Sequence, residues 1–182
     1  MDSRLQEAEV VAMESIGEGT RVCLDFVDKL QPTEGILVGN TGHGYLLVLA
    51  ENRTTDTYPA RPFRVNAGAI HQYALTDEGK TSYLAELKPG DQIAVMSAEG
   101  KKRNIAIGRV KMEKRPFLRI VLKSEGAVIS ATLQDADSVH VLGHDGSEKQ
   151  VLDLQQGDRI MIVKDQPGRH LGEKIEEEII EL

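Results

Sequence analysis

Two short stretches concentrate positive charge in an otherwise acidic chain. In the first, Arg61-Pro62-Phe63-Arg64, two guanidinium groups flank a proline, and Pro62 stiffens the backbone between them. A pair of planar forks on a stiff backbone is a receptor for a carboxylate, which each fork grips through two parallel hydrogen bonds. The second stretch is Gly108-Arg109-Val110-Lys111-Met112-Glu113-Lys114-Arg115-Pro116. Side chains alternate along a strand, so Arg109, Lys111 and Glu113 share one face there. The competing reading is a solvated charged surface laced with salt bridges, and composition alone favours it.

The other reactive residue types form no recognisable constellation. Cys23 is the sole cysteine, so an intramolecular disulfide and a thiolate metal cluster are both excluded. Lying between Val22 and Leu24, it reads as a small buried hydrophobe rather than a nucleophile. His140 and His144 are separated by Val-Leu-Gly at a strand end and need not share a face, and His43 sits in a glycine-rich turn. Gly39, Gly42 and Gly44 cluster, but with the wrong spacing for a dinucleotide loop and with no helix to follow. The net charge of −7 and a pI near 5.3 repel phosphate backbones and argue against nucleic acid as a partner. No apolar run approaches the ~20 residues of a membrane span. The N-terminus lacks a basic-then-apolar signal pattern, so the expectation is a cytoplasmic protein.

The elements that must carry these residues read as β. Residues 4–14 are ambiguous between a short helix and a lead-in strand. From 21 onward strands are expected at 21–26, 36–38, 45–50, 63–65, 70–75, 92–96, 105–112, 117–122, 128–133, 138–142 and 159–163. Glycine-containing turns at 77–79, 98–100, 124–126, 144–146 and 166–168 separate them. The stretch 173–182 suits either a helix or a strand. A faint repeat matches Leu87-Lys88-Pro89-Gly90-Asp91-Gln92-Ile93 with Leu154-Gln155-Gln156-Gly157-Asp158-Arg159-Ile160, and Gly19-Thr20-Arg21-Val22 is a weaker third copy. The expected fold is mainly β, in one or two small barrel-like or sandwich units of antiparallel strands. Residues 1–14 form a lead-in, 15–123 a β domain with the basic site, and 124–182 a second β unit or a continuation of the first.

The string Arg61-Pro62-Phe63-Arg64-Val65-Asn66-Ala67-Gly68, then His71-Gln72-Tyr73, then Gly79-Lys80-Thr81-Ser82-Tyr83-Leu84-Ala85-Glu86-Leu87 resembles the most characteristic block of the archaeal-type 3-dehydroquinate synthases. Gly108-Arg109-Val110-Lys111 with Arg115-Pro116 resembles the family's next block. Similar segments extend from about residue 15 to 182, in order, and look like the C-terminal half of that enzyme; the chain is also similar to the aminohydroxybenzoate synthases. The resemblance implies NAD-dependent oxidative deamination of an amino-deoxy-heptulosonate followed by ring closure. It implies substrate-holding roles for Arg61, Arg64 and Asn66, joined by Arg109, Lys111 and Arg115. It makes His71 and Lys80 the proton-transfer candidates, since each can titrate usefully once desolvated. His170 follows Arg169 in a family-like position. Where the family usually shows His-Ser-Glu, this chain has Leu49-Ala50-Glu51, leaving Glu51 as a candidate base or ligand, with an exposed strand-end carboxylate as an equal alternative.

Three functions follow as expectations. The chain acts by cyclisation or deamination on a polar carboxylated sugar-derived or amino-sugar-derived substrate, with a separate chain supplying the preceding half. Alternatively it is a relative repurposed for a step without NAD, or a non-catalytic partner that completes a site on another chain. A divalent metal and a homo-oligomer both stay open. Because no phosphate-cradling glycine loop opens a helix, the isolated chain is expected to bind NAD weakly or not at all. Saturable micromolar binding in a calorimetric titration would overturn that expectation.

Overall fold

The structure, a computed structural model, describes residues 4–77, 79–166, 169–170, 173–174 and 179–182. The expected turns at 77–79 and 166–168, the segment 175–178 and the side chain of His170 fall wholly or partly outside those residues. Fourteen strands form one antiparallel network: β1 (Gln6–Phe26), β2 (Gly35–Gly39), β3 (Gly44–Leu49), β4 (Arg64–Ala69), β5 (Tyr73–Asp77), β6 (Lys80–Tyr83), β7 (Gln92–Met96), β8 (Lys102–Ser124), β9 (Ala127–Gln134), β10 (His140–Leu142), β11 (Glu148–Gln150), β12 (Arg159–Lys164), β13 (Arg169–His170) and β14 (Glu173–Lys174). The only helical segments among the described residues are 3-10 turns at Leu84–Glu86 and Val151–Asp153. The mainly-β expectation holds. No helix among the described residues is long and apolar enough to cross a membrane.

The frame is a pair of very long strands. β1 and β8 pair antiparallel from Glu9↔Lys123 to Phe26↔Ile107. The ambiguous segment 4–14 is the first half of β1, and the strands expected at 105–112 and 117–122 are one continuous strand. Strands this long must bend to follow the core, and β-bulges permit it. Register shifts fall between Val10 and Ala12 and between Ser15 and Gly17, where Gly17 adopts φ +90, a conformation that glycine enters without a Cβ penalty.

The other strands dock on this ribbon. Along β1, β12 pairs with Gln6–Glu9 and β4 with Arg21–Asp25. Along β8, β7 pairs with the Lys102 end and β9 with Phe117–Ser124. β2 and β3 are apolar on both faces. Ile36, Val38, Leu46 and Val48 enter the main core, whereas Leu37, Tyr45, Leu47 and Leu49 enter a smaller second core. That is why 45–50 reads as an unbroken apolar run instead of an alternating one. The main core draws on residues from Ala8 to Ile162, on both sides of the turn at 125–126.

The internal repeat is structural. The two 3-10 turns lie 67 residues apart, and their hydrogen bonds correspond. Leu84 N–H donates to Gln72 O at 2.9 Å and Val151 N–H to Val139 O at 2.9 Å. Lys88 N–H meets Asp91 Oδ2 at 3.0 Å and Gln155 N–H meets Asp158 Oδ2 at 2.9 Å. Gly90 and Gly157, at φ +95 and +97, then dock on Ile107 O of β8 and Val10 O of β1. The weaker third copy does not share this turn, because Gly19 lies within β1. The strand expected over 70–75 begins only at Tyr73, since residues 69–72 turn: Gln72 N–H bonds Ala69 O at 3.2 Å.

Gln72 ties that turn to β9. It is fully buried, its Nε2 donates to Ala67 O at 3.0 Å, and its Oε1 accepts from Thr132 N–H at 2.8 Å. Gln72→Leu keeps the volume but leaves both backbone groups buried without partners. Unfolding in denaturant should show a loss of about 2–4 kcal/mol; a change below about 0.5 kcal/mol would contradict this role.

Candidate functional site

The site is built where β1 lies between β4 and β8. Alternation sends Val22 and Leu24, both fully buried, into the core, and turns Arg21, Cys23 and Asp25 to the opposite face. Register then assembles the rest. Asp25 lies opposite Arg64 of β4 and Arg109 of β8, Cys23 opposite Asn66 and Lys111, Arg21 opposite Glu113, and Gly19 opposite Arg115. The 61–64 and 109–115 stretches, far apart in sequence, thereby flank one strand.

Asp25 is the hub at one end and is only 3% exposed. Its Oδ1 accepts from Arg64 Nε at 2.7 Å, and its Oδ2 accepts from Arg64 Nη2 at 3.1 Å and Arg109 Nε at 2.8 Å. Burial works to raise the Asp25 pKa, but the bonds from Arg64 and Arg109 outweigh it and hold the group below its ordinary value. The Arg64 fork is thus engaged by Asp25. Of its five N–H groups two are used here, so a ligand would meet the guanidinium edge that faces away from Asp25.

Glu51 lies beside this hub. Its backbone N–H bonds Arg64 O at 2.8 Å, it bridges to Arg61, and its Oε1 is 3.6 Å from Arg61 Nη1. The Arg61 guanidinium also lies over the Tyr58 ring, 5.3 Å from its centroid. Glu51 is 5% exposed, so it is not an exposed strand-end carboxylate. Burial raises its pKa above the ordinary value, against the pull of Arg64, Arg61 and Arg21. A carboxyl that holds its proton more tightly than usual beside cations suits general acid–base work. Cys23 is also buried, and its thiol is pushed up to about 11, chiefly by that burial; it is neutral and unsuited to attack.

At the other end, Arg21 Nη1 donates to Gln134 Oε1 at 2.6 Å and Asn66 Nδ2 to the same oxygen at 2.7 Å. Arg21 Nη2 meets Glu113 Oε1 at 2.7 Å, and Arg115 Nη2 meets Glu113 Oε2 at 2.6 Å. Lys111 Nζ is 3.6 Å from Glu113 Oε1. The face carries Arg21, Arg61, Arg64, Arg109, Lys111 and Arg115 against Asp25, Glu51 and Glu113. Cations exceed carboxylates by three on a protein whose total is −7.

His71 stands beyond the Arg21 end, in a cavity of about 220 Å³ lined by Gly19, Thr20, Phe117 and Thr132. Its Nε2 lies 2.8 Å from Asn40 Oδ1, an oxygen that also accepts from Thr132 Oγ1 at 2.8 Å. Nε2 therefore carries the hydrogen and Nδ1 the lone pair, and burial lowers the His71 pKa. Lys80 is placed elsewhere. It pairs with Asp77 at the tip of the β5–β6 hairpin, and β5 spans about 13 Å between that tip and the His71 turn. The structure brings Arg61, Arg64, Asn66, Arg109, Lys111, Arg115 and Glu51 onto one face, sets His71 at its margin, and leaves Lys80 off it. His140 is buried with Nδ1 3.3 Å from Ser138 O, and no group of three potential metal ligands occurs among the described residues.

Sequence reasoning missed Arg21, Asp25 and Gln134. The alternation of Arg21, Cys23 and Asp25 is a signal for the first two, whereas Gln134 has none, since only the β8–β9 register brings it in. Together, fold and site define an all-β domain with a cationic face and, beside it, the buried carboxyl of Glu51, whose pKa is raised by that burial. The family model described as the 3-dehydroquinate synthase II C-terminal domain matches residues 7–182, and the chain belongs to that family. It is 39% identical over 180 residues to a 3-dehydroquinate synthase of Methanopyrus kandleri, covering 97% of this chain and 45% of that protein. A 3-dehydroquinate synthase homolog of Persephonella marina is 42% identical over 177 residues (97% and 54%). A 3-dehydroquinate synthase of Methanosarcina acetivorans is 41% identical over 179 residues (98% and 47%). The chain spans about half the length of these relatives.

The two buried carboxyls should respond to pH with opposite signs. Asp25 has a lowered pKa, so its ionised form stabilises the fold, and that stability is lost as pH falls through its folded pKa. Asp25→Asn should cost about 3 kcal/mol near pH 7 and progressively less toward pH 3. Glu51 has a raised pKa, so its contribution is lost as pH rises through that value. Glu51→Gln should match the wild type near pH 4 and exceed it near pH 8. Denaturant unfolding at these four pH values checks both, and equal pH slopes in the two variants would refute the assignment.

Proposed function

We propose that this domain holds the carboxylate of a polar, sugar-derived substrate against Arg61, Arg64 and Arg109 while Glu51 exchanges a proton with the substrate carbon chain. The observation that carries the reading is Glu51: a nearly sealed carboxyl with a raised pKa, directly beside the cationic hub on Asp25. Ring closure requires proton removal next to a carbonyl. The Glu51 carboxylate would take the proton from that carbon and return it as the carboxylic acid to the oxygen or carbon where charge collapses. The arginines would neutralise the substrate carboxylate and so lessen its repulsion of the enolate that develops. Asn66 and His71 line the path beyond the hub, and His71 Nδ1 is a second group able to accept a proton. Lys80, at the far hairpin, takes no part in this reading.

The names of the relatives, 3-dehydroquinate synthases, support dehydroquinate-forming chemistry for the whole enzyme, and we extend that chemistry to this domain as one half of the catalyst. NAD, which the family resemblance implies, finds no fitting cradle here. The described residues offer two three-residue 3-10 turns and no longer helix, so they present no helix N-terminus to a pyrophosphate, and no step is derived through the cofactor. We assign the cofactor to the half that the relatives carry outside the matched region. That half, as the preceding part of the same protein or as a separate chain, would close over the cationic face.

A calorimetric titration with 3-dehydroquinate tests the seat without requiring turnover. Arg64→Lys keeps the charge but cannot form parallel bonds, and the loss should be about 1.5–3 kcal/mol. Unfolding midpoints measured on the same samples separate lost binding from lost fold. Wild-type affinity in a folded Arg64→Lys protein would end the case for this seat.

A further inference from the structure

The polar face has two centres. Asp25 and Arg21 are four residues apart on β1, about 13 Å. Around Asp25 two arginines meet one carboxylate, but around Glu113 three cations converge on one carboxylate: Arg21 at 2.7 Å, Arg115 at 2.6 Å and Lys111 at 3.6 Å. This second centre therefore carries a surplus of two positive charges. Lys111 and Arg115 sit on a bare edge, since β8 between Ile107 and Pro116 pairs with β1 alone among the described residues. Charges of this kind guard exposed edges against aggregation, which accounts for those two residues.

It does not account for Arg21. That residue is 7% exposed, and burying a guanidinium on a strand face is costly unless it serves the geometry. Gln134 holds it from behind and is itself held by Asn66, so the side chain is fixed with one Nη aimed at the Glu113 carboxylate. Among the described residues its Nε is buried without a hydrogen-bond partner. Glu113, by contrast, is one-third exposed and lies on the open edge, so it can swing into water while Arg21 stays in place. A carboxylate that is one-third exposed, surrounded by three cations and seated on a buried arginine stands where a ligand's anion would stand.

We propose that Arg21, Lys111 and Arg115 form a second anion seat, for a phosphate-type oxyanion, and that Glu113 is its resident counter-ion, displaced when the ligand arrives. Two guanidinium groups and one ammonium offer more donors than a carboxylate has oxygens, whereas a tetrahedral dianion uses three oxygens at once and offsets two of the three positive charges that Glu113 leaves behind. Release of Glu113 gives up its three ion pairs, and hydration of the freed carboxylate offsets part of that loss. The oxyanion is either the far end of the molecule whose carboxylate rests at Asp25 or part of a separate phosphorylated ligand. The first case rests on the function proposed above; the seat itself does not.

The test is titration of inorganic phosphate at low ionic strength, with matched chloride as control. Glu113→Gln removes the competing charge and keeps the side chain's size, so it should bind phosphate at least about tenfold more tightly than the wild type. Adding Arg115→Gln should abolish that gain. Arg109→Gln, at the exposed partner of Asp25, should leave phosphate affinity unchanged while weakening 3-dehydroquinate. No gain in Glu113→Gln, or a gain that survives Arg115→Gln, would overturn the seat. Loss of 3-dehydroquinate binding alone would count only against the neighbouring carboxylate site. 6-Phosphogluconate distinguishes the two sources: affinity well above that of gluconate or phosphate separately marks one spanning ligand, and affinity no better than phosphate marks two.

Discussion

Everything at the polar face depends on one buried carboxylate held between two strands that the chain visits far apart. Asp25 takes Arg64 from β4 on one side and Arg109 from β8 on the other. The largely buried Arg64 needs that counter-charge, and an unpaired Asp25 at 3% exposure would cost several kcal/mol. The three residues therefore succeed or fail as a unit. Their pairing locks the register of β4 and β8 on β1, because a slip of one residue would send Asp25 into the apolar core.

The same constraint shapes the chemistry. With Asp25 absorbing part of the arginine charge, Glu51 is left in a compromise between burial and cations. Burial wins there, whereas at Asp25 direct hydrogen bonds win. Two acidic groups a few residues' reach apart thus hold different protonation preferences, one suited to anchoring charge and the other to moving a proton. The long ribbon makes this arrangement possible. β1 has apolar partners along one face from Val22 to Phe26 and so can devote the opposite face to polar groups without losing its place in the fold.

The repeat that docks Gly90 on β8 and Gly157 on β1 serves the frame and not the site. It anchors the two long strands through equivalent turns at distant points, so the segment Gly19–Asp25 is supported from both ends. This explains how a face so rich in like charge persists. The electrostatic cost is borne by a rigid scaffold whose stability comes from an apolar core on the other side of the sheet.

The sequence by itself determined the class of fold and picked out most of the cations of the polar face. Short apolar runs broken by glycine turns admit little besides antiparallel strands, and Arg61, Arg64, Arg109, Lys111 and Arg115 stand out as concentrations of positive charge in an acidic chain. The family motifs were legible for the same reason: they are local strings. Tertiary structure alone decided which of these residues meet. Strand register across β4, β1 and β8 brought in Arg21, Asp25 and Gln134, whose partners lie 39 to 113 residues away. It set His71 at the margin of the face and Lys80 at the far end of a hairpin, although both belong to the same sequence block as Arg64. It also decided the state of Glu51, because burial is a property of everything packed around a residue, and no local pattern records it.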